Sequence, residues 1–336
     1  MSNDWVGAVV DAYGHRSDSE ESMRSRVLKD MLTLEPLGTN DLPLHPELHS
    51  WQIYPPSIEK FVGDVYAQAV TELDRPRKEI GVFKSEVEKT RVVVKKWKTD
   101  GSGGLTWFGR TSEHEEGNLV AFTDLHACLM RGHEKNEAEY TPAIYDVNTL
   151  LEWDVEGVLW GGRISDVEMR LTQMHHSFPG GGLLSDRVFT VLVLAFRNMS
   201  PSSEVPDAVI SESINVQIPI DISRFPLPII RRAHTSLYAT LHSKSAKHVY
   251  QNQHPDASAE QSQKTKAGKG IVVGRYASVE RIRLSHEEGK ETTKWEMQTV
   301  SDAGGNLPSW VQKMGVPGAI AKDVPLALQF IVGKKV

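Results

Sequence analysis

Three polar residues alternate along one predicted strand, and their types could do chemistry if they face the interior. The stretch LTWFGRTSEH places Arg110, Ser112 and His114 two residues apart. Successive side chains of a strand point to opposite faces, so these three share one face. Arg110 could then act as a catalytic donor to a developing oxyanion, and His114 could contact a bound ligand. A solvent-exposed face would show the same pattern, and the sequence leaves this alternative open.

A second polar pair ends the alternating stretch ISDVEMRLTQMHH. If no bulge interrupts the strand, one side carries Val167, Met169, Leu171, Gln173 and His175. We predict that this side faces a cavity, with Met169 and Leu171 as ligand-binding residues. Gln173 and His175 would be catalytic hydrogen-bonding groups at its rim, and His176 would point outward. The alternative is a strand end that emerges into water.

Further ligand-binding candidates lie on the strands GKGIVVGRYASVERIRL and TTKWEMQTV. Arg275 and Glu280 belong to a strand without a clean polar face and could form a buried pair. An unpaired buried arginine would be costly, so Arg275 would need this partner or an anionic ligand. Trp295 and Met297 share a face of the next strand and suit the wall of a nonpolar pocket. Ordinary core packing explains these two residues equally well.

The chain ends in an apolar helix, predicted to start at Asn306 and Pro308 after two glycines that let the chain reverse. Its apolar side carries Leu307, Trp310, Val311, Met314, Pro317, Ala321, Val324, Leu328 and Ile331. We predict that this side covers the buried face of the sheet, with Trp310 and Met314 contacting a ligand. Internal glycines and prolines should bend the helix, which would leave space beneath it.

Composition excludes several classes of function. The chain has 336 residues and a net charge of −6, without the basic stripe that binds nucleic acid. Its single cysteine, Cys128, cannot form an intrachain disulfide and favours a reducing, cytoplasmic location. Cys128 is expected to pack as core and not to act as a nucleophile. We expect no secretory leader and no integral membrane segment, since no apolar stretch reaches the ~20 residues needed.

Metal and nucleotide motifs are incomplete. The chain has 13 histidines, but His133-Glu134 is followed by Glu137 where a zinc-protease helix would carry its second histidine. His126 and His133 are seven residues apart on one predicted helical face, without an acidic ligand at a matching position. No glycine-rich stretch has the spacing of a phosphate-binding loop. We therefore predict neither a metal nor a cofactor.

The order of the periodic segments predicts an α+β fold. An early helix precedes two strands, a helix over residues 119–140, about five or six more strands and the terminal helix. Runs of strands flanked by helices favour a mostly antiparallel sheet. We divide the chain into an arm and loop, residues 1–54, and a single domain, residues 55–332. Polar insertions near residues 199–208 and 243–269 are predicted to be disordered.

Two sets of residues carry a resemblance to known families. The ending VSDAGGNLPSWVQKMGVPGAIAKDVPLALQFI and the order of elements resemble the START-like superfamily, which has the helix-grip fold. WFGRTSEH and HEKNEAEYTPAIYDVNTLLEWD resemble a fungal family of START-like proteins without an established general function. The resemblance covers about residues 55–332. It implies a curved antiparallel sheet wrapped around a long C-terminal helix, with an internal hydrophobic cavity for a sterol, phospholipid, polyketide or terpenoid.

The resemblance and the candidate residues lead to two expected functions. The first is a cavity protein of fungal secondary-metabolite biosynthesis that acts as a cofactor-free cyclase or isomerase, for example by a pericyclic, Diels–Alder-type ring closure. Holding two reacting ends together can contribute ~7–11 kcal/mol in the best cases. The alternative is a non-enzymatic lipid or sterol carrier. A scaffold or chaperone partner that uses the long polar loop ranks last.

Overall fold

The computed structural model describes residues 30–101, 104–155, 164–177, 186–201, 209–234, 272–287, 289–305 and 309–334. Its centre is a nine-stranded sheet with the order β1-β2-β3-β9-β8-β7-β6-β5-β4, in which neighbouring strands are antiparallel. The strands are β1 (Lys78–Val87), β2 (Thr90–Asp100), β3 (Thr106–Glu115), β4 (Ile144–Trp153), β5 (Ile164–His176), β6 (Arg187–Pro201), β7 (Val209–Pro219), β8 (Val272–Glu287) and β9 (Lys290–Asp302).

Five α-helices and two short 3-10 turns accompany the sheet in the described part of the chain. The helices are α1 (Ile58–Leu73), α2 (Phe122–Leu129), α3 (His133–Tyr140), α4 (Leu227–His234) and α5 (Ser309–Lys334); the 3-10 turns are Thr39–Asp41 and His49–Trp51. Ser57 caps α1 as predicted, since its hydroxyl accepts a hydrogen bond from Lys60 N–H at 3.3 Å.

Three details of the predicted elements are corrected. Strand β1 and helix α4 were not expected, and the ambiguous segment that contains β4 is a strand. The helix predicted over residues 119–140 is two helices, because Gly132 adopts a left-handed conformation with φ of 57° between them. The break turns α3 so that its first residues, His133 and Glu134, are buried.

The sheet is covered on both faces, which we name by the longest helix on each. The α1 face packs against α1 and α4 and is apolar; its buried residues include Leu192, Leu194, Phe196, Ile214, Val216, Ile218 and Val279. The α5 face packs against α2, α3 and α5, and it mixes apolar residues with polar and charged ones. All of the ionisable groups that form the candidate site below lie on or against the α5 face.

Helix α5 lies across β1, β2 and β3. It runs through Pro317 and Pro325 as one helical element. Its buried stripe is Ile320, Ala321, Val324, Ala327, Leu328 and Ile331. The predicted antiparallel sheet that grips a C-terminal helix is therefore confirmed. Of the predicted contact residues, Trp310 and Met314 belong to α5, but their side chains lie outside the described residues.

By length and composition alone, the segment Gly315–Lys334 could cross a membrane, which the sequence analysis did not anticipate. In the structure this segment packs against the sheet through its apolar stripe, as a core helix does.

The segment before α1 packs into the α1-face core. Met31, Leu32, Leu42 and Leu48 are almost completely buried there. The side chain of Gln52 donates hydrogen bonds to the carbonyl oxygens of Thr39, Leu42 and Pro43, at 3.2, 2.9 and 3.0 Å. The predicted insertion near residues 199–208 begins inside β6, and residues 202–208 lie outside the described residues. So do residues 1–29 and the predicted insertion 243–269.

Candidate functional site

Arg110 of β3 and Glu280 of β8 form a buried ion pair on the α5 face. Arg110 Nη2 lies 2.8 Å from Glu280 Oε1, and the two residues are 2% and 7% exposed. Trp295 of β9, the strand between them, donates its indole N–H to the same oxygen at 2.7 Å. The Arg110 guanidinium also stacks 4.1 Å above the Trp295 ring. Both charges are thus held by side chains from three adjacent strands.

Arg110 also ties the sheet to the terminal helix. Its Nε donates a hydrogen bond to the carbonyl oxygen of Ile320 at 2.9 Å. That oxygen belongs to the middle of α5, between Pro317 and Pro325. The guanidinium therefore connects β3, β8 and α5 at one point.

A second charged pair comes from α3. His133 Nε2 lies 3.4 Å from Glu137 Oε2, and His133 Nδ1 donates to the carbonyl oxygen of Leu129 at 2.8 Å. Burial lowers the pKa of His133, but the hydrogen bond and charge of Glu137, aided by Glu280, outweigh burial and raise it to about 9. Burial likewise acts to raise the pKa of Glu137, and protonated His133 brings it below the usual range.

The His133 side chain continues into the sheet. Gln217 Nε2 of β7 lies 2.9 Å from His133 Nε2, and the Gln217 carbonyl accepts a hydrogen bond from the Tyr276 hydroxyl. Helix α3 itself is fixed to β5 by an ion pair between Glu134 and Arg170, with Oε1 and Nε 2.9 Å apart. This chain of contacts holds His133 and Glu137 in position over the centre of the α5 face.

Several ionisable side chains around these pairs are surrounded by protein and yet retain accessible surface. Burial raises the pKa of Tyr140 and Tyr276 and lowers the pKa of His176 to about 4. Burial, followed by the charge of Glu137, raises the pKa of Asp323 to about 7. Each of these residues nevertheless keeps part of its surface accessible to solvent. We call the region of the α5 face that these residues surround the hollow.

Apolar residues surround this polar centre on two sides. One group packs between α2, α5 and the sheet and includes Phe122, Leu125, Ile282, Trp295 and Val324. The other lies beside β5 and β6 and consists of Met174, Val191 and Val193, with Val147 and Tyr276 packed against it. The hollow therefore has a polar centre with apolar residues at either side.

The predicted direction of β5 is corrected. Met169 and Leu171 are buried in the α1-face core, opposite to the hollow. Gln173 lies on the same α1 face and donates to Thr190 Oγ1 at 3.1 Å, and His175 Nδ1 lies 3.2 Å from Asp146 Oδ2. His176, expected to point outward, lies on the α5 face instead, with its ring edge-on to Phe189 at 5.1 Å.

Met169, Leu171, Gln173 and His175 do share one face of β5, as predicted. The pattern could not show, however, which face of the sheet this is. Both faces of this strand carry apolar residues, since Met169 and Leu171 pack on one face and Met174 on the other. Irregular pairing between Ser165 and Glu168 also shifts the register at the start of the strand. A strand covered on both sides gives no sequence signal for which face adjoins a cavity.

The predicted buried position of Arg275 is also wrong. It is exposed and pairs in register with Asp302, whereas Glu280 is buried and bonded to Arg110. Arg275 and Glu280 are five residues apart on β8, so they project to opposite faces of the sheet. The predicted Arg275–Glu280 pair does not form.

Four predicted residues do come together on the α5 face: Arg110, His114, Trp295 and Met297. Met297 pairs in register with both Arg110 and Glu280 and is partly accessible. His114 Nε2 lies 2.9 Å from Ser112 Oγ, and burial, followed by the charge of Arg110, lowers the pKa of His114 to about 4. Whether these residues contact a ligand stays a prediction.

Sequence reasoning missed the residues that α3 and α5 contribute. His133 and Glu137 were considered only as metal ligands, and Asp323 was not considered. The signal for Asp323 was present: it lies three residues after Ile320 and four before Ala327, on the apolar stripe of the terminal helix. A single carboxylate on a buried stripe is unusual enough to indicate a site.

The described residues do not suggest metal or thiol chemistry. Among them, no group of three histidine, cysteine or acidic side chains could hold a metal ion. Cys128 is buried, as predicted, and burial, followed by the charge of Glu280, raises the pKa of its thiol to about 12. A cleft of about 440 Å³ near Leu44, Ile58 and Trp153 belongs to the α1 side of the sheet and contains none of the candidate residues.

Comparisons with known proteins extend over most of the chain. A family model described as "Protein of unknown function (DUF3074)" matches residues 107–331. The comparison with curated proteins found no match. Among solved structures, the chain is similar to human StAR-related lipid transfer protein 5 at 11% identity, with 83% of this chain and 99% of that chain covered and a TM-score of 0.43.

Two further human structures are similar at the same level. Human STARD10 matches at 11% identity over 77% of this chain and 76% of that chain, with a TM-score of 0.39. The lipid transfer and protein localization domain of human StarD13 matches at 12% identity over 80% of this chain and 96% of that chain, with a TM-score of 0.36.

Proposed function

This chain belongs to the protein family of unknown function DUF3074, and we propose from its geometry that it binds a hydrophobic small molecule in the hollow. The observation that supports this most is the set of enclosed ionisable residues that keep accessible surface on the α5 face. Glu137, for example, keeps 22% of its side chain accessible within this group. Protein interiors are close-packed, so an enclosed space with polar groups at its centre is a candidate ligand site.

The apolar sides of the hollow would provide most of the binding free energy. Apolar burial contributes ~25 cal/mol per Å², so a ligand that buries ~400 Å² gains roughly 10 kcal/mol before the costs of association. Met174, Val191 and Val193 on one side and Ile282 on the other offer such surface. A flexible terpenoid, polyketide or lipid tail fits this requirement.

The polar centre would orient the ligand. Arg110 Nη1 is buried and has no hydrogen-bond partner among the described residues, although Nη2 and Nε are both engaged. An unsatisfied buried donor costs about 1–3 kcal/mol, which a ligand oxygen would recover once a shift of the guanidinium on binding brings Nη1 to the ligand. Arg110 therefore takes the role that the sequence analysis shared among Arg110, Gln173 and His175.

A catalytic form of this function is a cofactor-free cyclisation or isomerisation of the bound molecule, in secondary-metabolite biosynthesis. Burial shifts the pKa values of several ionisable groups around the hollow. Groups with shifted pKa values are concentrated at functional sites, and this favours a catalytic function. A donor such as Arg110 could contribute roughly 3 kcal/mol to a developing oxyanion. The alternative is a lipid or sterol carrier, which would use the same hollow without a reaction.

Binding is tested with N-phenyl-1-naphthylamine, a neutral probe that fluoresces in apolar sites. Met297→Trp adds a bulky ring on the α5 face and should weaken binding at least tenfold. Val273→Trp is the matched control, because Val273 is 64% exposed; this variant should bind as the wild type does. Equal binding by all three proteins, or no binding by the wild type, would refute the proposed site, provided that circular dichroism shows all three folded.

Carrier and catalyst are distinguished by the fate of the ligand. The protein is loaded from an organic extract, and the bound molecule is compared with the free extract by mass spectrometry and chromatography. A ligand recovered unchanged after hours supports the carrier. A product of the same mass with a different retention time, formed in proportion to the amount of protein, supports the cyclase or isomerase.

A further inference from the structure

Asp323 lies on the inner side of the helix that covers the hollow. Ile320, Val324 and Ala327 around it are buried at 6% exposure or less. Residues three and four apart on a helix share a side, so Asp323 belongs to this stripe and not to the outer surface. The outer side is marked by exposed Lys322. The sequence therefore places one carboxyl group in an otherwise apolar stripe.

This carboxyl group has no protein partner in the described part of the chain. No hydrogen bond or ion pair joins Asp323 to another described residue, and its side chain keeps accessible surface. Its charged neighbours are already engaged: Arg110 with Glu280, and His133 with Glu137. Buried polar groups are nearly always hydrogen-bonded, so a group left free at an internal space is available to a ligand.

The two buried ion pairs nearest to Asp323 balance without it. The Arg110–Glu280 pair and the His133–Glu137 pair each sum to zero. Titratable groups on the α5 face and on the helices that cover it include Lys96 of β2, Arg110 and His114 of β3, His176 of β5, Tyr276 and Glu280 of β8, Cys128 of α2, and His133, Glu137 and Tyr140 of α3. Ionising Asp323 would add a third carboxylate charge beside Glu137 and Glu280, whose own partners are already engaged. Burial and these two carboxylates accordingly raise the pKa of Asp323 to about 7, against the opposing effect of Arg110.

We propose that the hollow selects uncharged ligands whose polar group accepts a hydrogen bond, and that the protonated carboxyl group of Asp323 donates this bond. The inference rests on the proposed function. An ester, ketone, ether or hydroxyl oxygen meets the requirement. An anionic head group would instead face Asp323, Glu137 and Glu280, while the two buried cations, Arg110 and protonated His133, are already paired. The class of ligand is therefore a neutral lipid or neutral polyketide or terpenoid, and not a fatty acid or phospholipid.

Binding of such a ligand must be coupled to the proton on Asp323. The ligand binds the protonated form more tightly, so affinity is constant below the pKa of Asp323 and falls above it to the affinity of a ligand that cannot accept the bond. His114 and His176, with pKa values of about 4, and His133, with a pKa of about 9, keep one charge state between pH 6 and 8. A bound ligand that accepts the bond also moves the onset of this loss to higher pH.

The test uses three fluorescent probes with one apolar body: dodecylpyrene, the methyl ester of pyrenedodecanoic acid, and the free acid. Dissociation constants are measured from pH 6 to 8.5. We expect the ester to bind at least fivefold more tightly than the hydrocarbon at pH 6, and to lose this advantage as the pH rises. The hydrocarbon should bind equally at all pH values, and the acid should bind more weakly than the ester throughout.

Two variants separate hydrogen bonding from ionisation. Asp323→Asn keeps an N–H donor but cannot ionise, so its ester affinity should not change with pH. Asp323→Ala removes the donor without adding volume, so ester and hydrocarbon should bind alike. Glu139→Gln, which changes an exposed acid on α3, is the control and should keep the wild-type pH profile.

The outcomes distinguish failure of this inference from failure of the proposed function. If no probe binds at any pH, the proposed function itself is wrong, and the inference falls with it. If the hydrocarbon binds but the ester has no advantage at pH 6, or its affinity does not depend on pH, Asp323 is not the donor. Tighter binding of the acid than of the ester would overturn the selection for uncharged ligands.

Discussion

Arg110 Nη2 and Glu280 Oε1 lie 2.8 Å apart although 170 residues separate them in the chain. The pair joins β3 to β8 across β9, and the Nε of the same guanidinium joins the sheet to α5. This one side chain therefore links the terminal helix to two strands of the sheet, in addition to the apolar packing of α5. Its neighbours decide both the stability of the site and what can bind there.

Removing one member of this pair should be strongly destabilising. We expect Glu280→Leu to cost about 3–5 kcal/mol, because it leaves the Arg110 charge buried without compensation and removes the acceptor for Trp295. Replacing both residues by Arg110→Met and Glu280→Leu should cost less than the sum of the single changes. Urea unfolding followed by tryptophan fluorescence measures all three.

The control for this prediction is an ion pair at the surface. Lys60 Nζ lies 2.6 Å from Asp64 Oδ2, but both side chains are partly exposed. Lys60→Ala should therefore change stability by less than ~1 kcal/mol. If Glu280→Leu were as mild as Lys60→Ala, the buried pair would not organise the site.

Acid should weaken the fold through His114. Its folded-state pKa of about 4 lies below the ordinary value of 6.5, so the unfolded state takes up a proton first as the pH falls. The stability due to neutral His114 is complete above pH 6.5 and is lost between 6.5 and about 4. In that range, the difference in unfolding free energy between wild type and His114→Gln should fall by up to ~1.4 kcal/mol per pH unit.

This difference isolates His114, because the other histidines with shifted pKa values are present in both proteins. The pKa of His126 is lowered and that of His176 is about 4, and their contributions cancel when the variant is subtracted from the wild type. A difference that does not change between pH 6.5 and 4.5 would show that the folded-state pKa of His114 lies near its ordinary value.

Gly274 keeps Phe189 in place beside the hollow. A Cβ atom at Gly274 would lie 2.3 Å from Phe189 Cε1, and the Phe189 ring packs against Tyr276 at 5.2 Å and His176 at 5.1 Å. Gly274→Ala must therefore displace the ring, at a cost of about 1–3 kcal/mol. We expect weaker probe binding and a lower melting temperature, measured by fluorescence titration and thermal unfolding.

The matched change is Gly315→Ala in α5. No atom lies within 4 Å of a Cβ at this exposed position. Alanine loses less backbone entropy in a helix, so the variant should be about 0.5–1 kcal/mol more stable, with probe affinity retained. Equal effects of the two glycine substitutions would contradict the role of Phe189.

Cys128 is a reporter of the packing between α2 and α5. Its thiol is buried, and burial raises its pKa to about 12, so thiolate is scarce at pH 8. We expect Ellman's reagent to react at least a hundredfold more slowly with the native protein than with protein unfolded in urea. Fast labelling of the native protein would mean that this part of the core opens readily.

Much of the architecture follows from local patterns. The stripe of α1, its Ser57 cap and the apolar side of α5 are readable because helical periodicity is a property of adjacent residues. The alternation of Trp295 and Met297 and of Arg110 and His114 is readable for the same reason, and these four residues do share the α5 face. The layered α+β arrangement then follows from the need to cover each apolar surface.

The sequence by itself determined most of the elements and their order, with β1, α4 and the break at Gly132 as exceptions, and the grip of an antiparallel sheet on a terminal helix. Only the tertiary structure decided which face of β5 adjoins the hollow. His176 lies on that face, whereas Gln173 and His175 lie on the opposite one. The tertiary structure also decided that Glu280 belongs to Arg110 and that Asp323 stands among two balanced ion pairs. The physical reason is that periodicity specifies which residues share a face, whereas the neighbour of that face is set by strands and helices distant in the chain.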